Sequence, residues 1–107
     1  MTLLEITNKL RSLTLTPGEL SDIRLKLSAE YSWIASRLED IEKVEPKEWL
    51  NIRESVKSDK IADYKWKSTA QGQEQTVYKS QLKSIEKMMS SIKTRLEVMS
   101  QEARNQY

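Results

Sequence analysis

An unbroken heptad spacing runs through the last third of the sequence. Apolar side chains recur there at alternating steps of four and three residues, and they are Tyr78, Leu82, Ile85, Met89, Ile92, Leu96, Met99 and Ala103. This spacing places all eight on one stripe of an α-helix, and such a stripe packs against another helix. We therefore predict a long helix over 73–104, which would extend about 45 Å at the usual rise per residue.

A second stripe with a mean spacing near 3.5 residues lies in the first half. Its members are Leu20, Ile23, Leu27, Tyr31, Ile34, Leu38 and Ile41. Thr16 and Glu19 flank Pro17 in the pattern of a capping box, with proline at the first helical position. Because Pro46 disfavours helical geometry at the residue before it, the pattern predicts a second long helix over 17–44.

Two weaker helical patterns complete the chain. Residues 1–15 carry one apolar face, made by Leu3, Ile6, Leu10 and Leu13, and predict a short helix. Residues 46–71 predict a helical insert, in which Pro46 opens one short helix and Ser58 or Asp59 caps another. Gly72 is expected to separate this insert from the last helix.

The scarcity of turn residues decides the fold class. The 107 residues include only two glycines and two prolines, whereas a β-sandwich or barrel needs a turn signal about every 8 to 12 residues. We predict one all-α domain over 1–107, a long antiparallel helical hairpin of coiled-coil type with a short helical insert and a short N-terminal helix. The heptad spacing also leads us to expect homo-oligomers that associate through the last helix.

The chain contains no cysteine and no histidine. That absence excludes disulfides, thiol nucleophiles, imidazole bases and the usual zinc ligands. A carboxylate-only enzyme would need acidic side chains that converge in one pocket, and the sequence shows no such pattern. We predict a non-enzymatic protein without a cofactor or metal site.

Hydropathy addresses the location of the protein. No apolar run approaches the roughly 18 residues of a membrane span, and the first residues lack the basic and apolar regions of a secretory signal. We expect a cytoplasmic protein with no membrane partner.

Positive charge is concentrated in one part of the chain. Residues 1–56 carry 8 Lys/Arg against 10 Asp/Glu, a net charge of −2, whereas residues 57–95 carry 9 against 4, a net charge of +5. Residues 96–107 carry 1 against 2, a net charge of −1. A basic region of this kind indicates a polyanionic partner.

Aromatic and basic side chains alternate within this region. The candidate contacts for single-stranded nucleic acid are Lys57, Lys60, Tyr64, Lys65, Trp66, Lys67, Lys79, Lys83 and Lys87. The lysines would neutralise phosphates, while Tyr64 and Trp66 would stack on bases. The sequence therefore predicts binding of single-stranded nucleic acid.

Each of these candidates also has a purely structural interpretation. Lysines four residues apart, as at 79, 83 and 87, are usual on the outer positions of a coiled coil. Trp49 and Trp66 are large apolar side chains that could fill the core, in which case Tyr64, on another face of its helix, would be exposed. Asp59 and Asp63 could hold a divalent ion, or could simply favour a helix N-terminus.

The segment "SSIKTRLEVM", residues 90–99, follows the aromatic and basic insert. Residues 57–100 resemble the end of phage recombination mediators of the UvsY type, which are small helical proteins that form rings, bind single-stranded DNA and help to load a recombinase. The resemblance implies DNA contacts for Lys93 and Arg95. The chain is also similar to small phage-encoded helical proteins, which implies a bacterial host cytoplasm.

Two other functional classes remain open on the sequence. One is a protein-interaction module, either an assembly factor or an inhibitor of a host system, that acts through an exposed helix face. The other is a structural coiled coil. Salt separates nucleic-acid binding from protein binding, because counterion release makes DNA affinity fall steeply with salt.

Overall fold

The computed structural model describes residues 2–105. Four α-helices occupy most of this range: α1 (Leu3–Leu10), α2 (Pro17–Glu54), α3 (Asp59–Ser68) and α4 (Ala70–Asn105). No strand occurs among these residues. The predicted all-α helical hairpin is confirmed, with α2 and α4 as its long helices. Met1 and residues 106–107, which the predicted domain included, lie outside the described residues.

The described chain divides into two compact units, and the first contains residues 2–31 and 83–105. Its buried apolar side chains are Ile6, Leu10, Leu15, Leu20, Ile23, Leu27, Ile85 and Ile92. The hydroxyl of Tyr31 donates a hydrogen bond to Glu86 (3.1 Å), while Leu20 lines a cavity together with Met99. This pairing shows that α2 and α4 run antiparallel. The same hydrogen bond to the Glu86 carboxylate raises the pKa of Tyr31.

The second unit contains residues 32–82, in which α3 packs with the adjoining parts of α2 and α4. Its buried apolar side chains are Ile34, Leu38, Ile41, Ala62 and Trp66. Gln75 is a buried polar residue, and its amide donates a hydrogen bond to Glu45 of α2 (3.1 Å). Trp33 and Tyr78 also meet across α2 and α4. These contacts continue the antiparallel order within this unit.

The helix starts follow the predicted caps. The hydroxyl of Thr16 accepts a hydrogen bond from the Glu19 amide (3.1 Å), and the Glu19 carboxylate accepts one from the Thr16 amide (3.3 Å). This reciprocal pair is a capping box, and it satisfies two amides at the start of α2. At α3, Ser58 rather than Asp59 is the cap, because its hydroxyl accepts a hydrogen bond from the Ile61 amide.

We expect Thr16→Ala to lower the free energy of unfolding by about 1 kcal/mol, because the Glu19 amide loses its acceptor. Urea denaturation followed by circular dichroism measures this change. Thr16→Ser is the matched control, since it retains the hydroxyl and should stay within about 0.5 kcal/mol of the parent. Equal losses in the two variants would show that the cap is not the source of the effect.

The predicted end of the second helix at residue 44 is wrong. α2 continues through Pro46 to Glu54 and includes the segment that was predicted as the first helix of the insert. An interior proline removes a helical hydrogen bond and costs about 3 kcal/mol. Tertiary contacts hold the helix on both sides of it, because Glu45 accepts a hydrogen bond from Gln75 and Trp49 donates one to Asp63.

The predicted break at Gly72 is also wrong. Gly72 is buried in the first turn of α4, where a Cβ atom would clash with the carbonyl oxygen of Trp66. Glycine therefore permits α3 and α4 to approach closely. The separation lies at Thr69, whose backbone is extended and whose hydroxyl accepts a hydrogen bond from the Gly72 amide (3.0 Å).

The predicted helix over 1–15 is shorter in the structure, because α1 ends at Leu10 and Leu13 is exposed. Residues after α1 form local contacts instead, and the Ser12 hydroxyl accepts a hydrogen bond from the Thr14 amide (3.3 Å). Serine and threonine compete with helical hydrogen bonds in this way.

The heptad stripe of the last helix faces the interior of the chain. Ile85 and Ile92 are 0% exposed, and Ala103 alone among its eight members is fully on the surface. Ile85 and Ile92 are thus already buried within one copy, whereas five of the other members are half-buried. The predicted self-association through this stripe stays a prediction.

Candidate nucleic-acid interface on α3

Both acidic side chains of α3 form hydrogen bonds with α2. The Asp59 carboxylate accepts a hydrogen bond from the Arg53 guanidinium, and the Asp63 carboxylate accepts one from the Trp49 indole, each over 2.7 Å. Both partners belong to α2. The two acidic residues therefore help to attach α3 to α2, which explains their four-residue spacing without a metal ion.

Three lysines of α3 face solvent instead. Lys60, Lys65 and Lys67 are exposed, and none of them belongs to an ion pair within residues 2–105. Asp59 and Asp63 are exposed as well, but three lysines outnumber them and the Asp59 charge is paired with Arg53, so the surface of this short helix is net positive. Such a surface attracts phosphates.

Tyr64 lies at the centre of this surface and is 74% exposed. Lys60 precedes it by four residues and Lys67 follows it by three, so both are its neighbours on the helix surface. We call Lys60, Tyr64 and Lys67 the α3 outer face. The predicted exposure of Tyr64 is confirmed. Its accessible ring lies between two cationic side chains.

Trp66 does not belong to this face. It is 4% exposed, and its indole nitrogen donates a hydrogen bond to the side-chain oxygen of Gln75 (3.0 Å). Because Gln75 also contacts Glu45, the indole takes part in a connection between α3, α4 and α2. The interpretation of Trp66 as a base-stacking residue is wrong, since its ring is buried, and the alternative core interpretation holds. Trp49 is half-buried against Asp63.

The structure locates the remaining predicted contacts in both units. In the second unit, Lys57 lies in the link before α3 and Lys79 lies on α4, and both are exposed. In the first unit, Lys83, Lys87 and Lys93 are exposed on α4.

Arg95 has a structural role that the sequence did not indicate. It is half-buried, and its guanidinium donates hydrogen bonds to the carbonyl oxygens of Leu10 and Ser12. These bonds hold the end of α1 and the following link against α4. These two bonds leave the positive charge of Arg95 without an acidic partner within the described residues, and its predicted DNA contact stays a prediction.

Sequence reasoning did not identify Trp33, which is 55% exposed on α2. Its ring meets that of Tyr78 edge to face at a centroid distance of 6.3 Å, and the Arg37 guanidinium lies 5.8 Å from its centroid. The neighbouring Tyr78 side chain raises the pKa of Arg37. The sequence did contain a signal for the exposure of Trp33, because this residue falls outside the buried stripe that contains Ile34.

No protein-family model matches the sequence, and the comparisons with curated proteins and with solved structures found no similar protein. Residues 2–105 contain no group of three or more acidic, cysteine or histidine side chains suited to a metal ion. Within the same residues, no helix combines the length and apolar character needed to cross a membrane.

Proposed function

We propose that this chain is a non-enzymatic protein that binds single-stranded nucleic acid through the α3 outer face. The observation that carries the proposal is the exposed Tyr64 between Lys60 and Lys67, neither of which belongs to an ion pair within residues 2–105. Lys65 adds a further cation on the flank of this face.

The chemistry of these groups suits a single strand. Ammonium groups neutralise phosphates and release counterions, which provides affinity without base specificity. A tyrosine ring stacks on an unpaired base with about 1 to 3 kcal/mol, and bases are accessible for stacking only where they are not enclosed in a duplex. Tyr64 has the exposure that this contact needs. We therefore expect preference for single strands over duplexes, with little dependence on sequence.

We expect the double substitution Lys60→Ala and Lys67→Ala to weaken binding to labelled single-stranded DNA on every sequence. The slope of log K against log salt should fall by about 0.7 for each lost contact, because fewer counterions are released. Tyr64→Ala should weaken binding without changing that slope, since stacking releases no counterions. Fluorescence anisotropy titrations at several salt concentrations measure both quantities.

The matched control removes two exposed lysines elsewhere, through Lys9→Ala and Lys26→Ala. This variant has the same net charge as the double mutant of α3, so only the location of the lost charge differs. Equal effects from the two double variants would assign binding to general charge rather than to α3. A parent protein that does not bind DNA near about 50 mM salt would contradict the proposal outright.

A second candidate function is a protein-interaction module, and the exposed Trp33 beside Arg37 favours it. Tryptophan and arginine are enriched among the residues that contribute most to protein interfaces. An interface with an apolar centre changes little with salt, in contrast to a nucleic-acid complex. The recombination-mediator role that the sequence resemblance implies stays a prediction, and a recombinase-loading assay would address it.

A further inference from the structure

A second stripe of side chains follows the solvent side of α2 in the second unit. Trp33, Arg37, Asp40 and Val44 are spaced by four, three and four residues, and all four are exposed. We call them the α2 outer stripe. They lie on a different face from the buried Ile34, Leu38 and Ile41. The spacing is that of a coiled-coil seam, and Tyr78 of α4 contacts this seam at its Trp33 end.

Along the chain, the stripe reads apolar, basic, acidic, apolar. In the opposite direction it reads apolar, acidic, basic, apolar, so each charge meets the opposite charge when the two orders are aligned. Two identical copies can therefore pair in antiparallel orientation about a two-fold axis that passes between Arg37 and Asp40. Each Arg37 then faces Asp40 of the second copy, and each Trp33 faces Val44 of the second copy. A parallel pair would instead place Arg37 against Arg37 and Asp40 against Asp40, which repel. The pattern thus selects one orientation, and a two-fold interface is self-complementary in this way.

Trp33, Val44 and Asp40 are accessible for such contacts. Trp33 is 55% exposed and Val44 is 39% exposed. Asp40 belongs to neither of the ion pairs found within residues 2–105. The Trp33 ring is already positioned by Tyr78 on one edge and by the Arg37 guanidinium over its face, so little side-chain freedom is lost on association.

We propose that two copies of this chain associate through the α2 outer stripe in antiparallel orientation. Four seam positions on each copy form a small interface, below the range of about 1,200 to 2,000 Å² that stable complexes bury. The dimer should therefore dissociate in the micromolar range. This inference is independent of nucleic-acid binding.

Sedimentation equilibrium over about 1 to 500 µM tests the proposal, because it reports both the stoichiometry and the Kd. We expect the parent to pass from monomer to dimer. Trp33→Ala should raise the Kd about tenfold, since Trp33 fills the end of each seam. Arg37→Asp alone, or Asp40→Arg alone, should abolish association, because each places like charges opposite one another at both central positions.

Mixing the two single charge variants provides the sharper test. In a mixed dimer, the two acidic side chains of the Arg37→Asp chain face the two basic side chains of the Asp40→Arg chain, so a heterodimer should form although neither variant dimerises alone. The double variant that carries both changes should also dimerise. Circular dichroism confirms that each variant is folded. A monomeric parent at the highest concentration, failure of the mixture to associate, or association that ignores the charge changes would overturn the proposal.

Discussion

Replacing Ile85 and Ile92 together by Asp should abolish cooperative folding of the first unit. Both side chains are 0% exposed, so each substitution would bury a carboxylate without a partner. The cost is several kcal/mol for each group, and two such costs approach or exceed the total stability of about 5 to 15 kcal/mol that is usual for a domain. Circular dichroism during urea denaturation should show loss of helix and of the cooperative transition.

Val98→Asp is the matched control, because Val98 lies on the same helix but is 47% exposed. We expect that variant to lose at most about 0.5 kcal/mol. A double Ile variant that remains a folded monomer would contradict the internal location of the stripe. It would instead support the predicted association of the last helix with another copy.

This contrast shows what a heptad pattern can predict. The spacing correctly placed Ile85 and Ile92 on the inner face of α4, because a 3.5-residue period determines which residues share a face. It could not identify the partner, since α2 of the same chain and α4 of another copy present the same apolar character. Only the tertiary structure assigns Ile85 and Ile92 to the interior of one copy.

Local chemistry explains which helix boundaries were predicted. Thr16 and Glu19 bond to one another within three residues, so the start of α2 can be read directly from the sequence. Pro46 and Gly72 were misinterpreted because contacts from other helices decide their structure. Glu45, next to Pro46, bonds to a residue 30 positions away, and Gly72 is required by the carbonyl of Trp66.

In the candidate site, too, local patterns predicted some features, while contacts between distant residues determined others. The two-residue separation of Tyr64 and Trp66 indicated that they face different ways, and the structure confirms Tyr64 as the exposed one. The contact of Arg95 with Leu10 joins residues 85 positions apart, so no local pattern could reveal it. The hydrogen bonds of Asp59 and Asp63 to α2 likewise join different helices, so no local pattern could reveal them.

Trp66→Ala should lower the free energy of unfolding by about 3 to 5 kcal/mol. The substitution removes a large buried side chain of α3, and it also leaves the buried Gln75 oxygen without its donor. Trp66→Phe separates these contributions, because it retains a ring but not the indole N–H. We expect a smaller loss for Trp66→Phe, of which about 1 to 3 kcal/mol reflects the unsatisfied Gln75 oxygen. Urea denaturation measures both variants.

Tyr64→Ala is the matched control for Trp66→Ala, because it removes an aromatic ring two residues away that is 74% exposed. The two variants should have contrasting effects. Tyr64→Ala should retain stability and lose affinity for single-stranded DNA, whereas Trp66→Ala should lose stability. Because Trp66 holds α3 in place, we expect its replacement to weaken DNA binding only in proportion to the loss of folded protein. A Trp66→Ala variant with parental stability and greatly reduced affinity would mean that this indole contacts the nucleic acid. The assignment of binding to the α3 outer face would then be wrong.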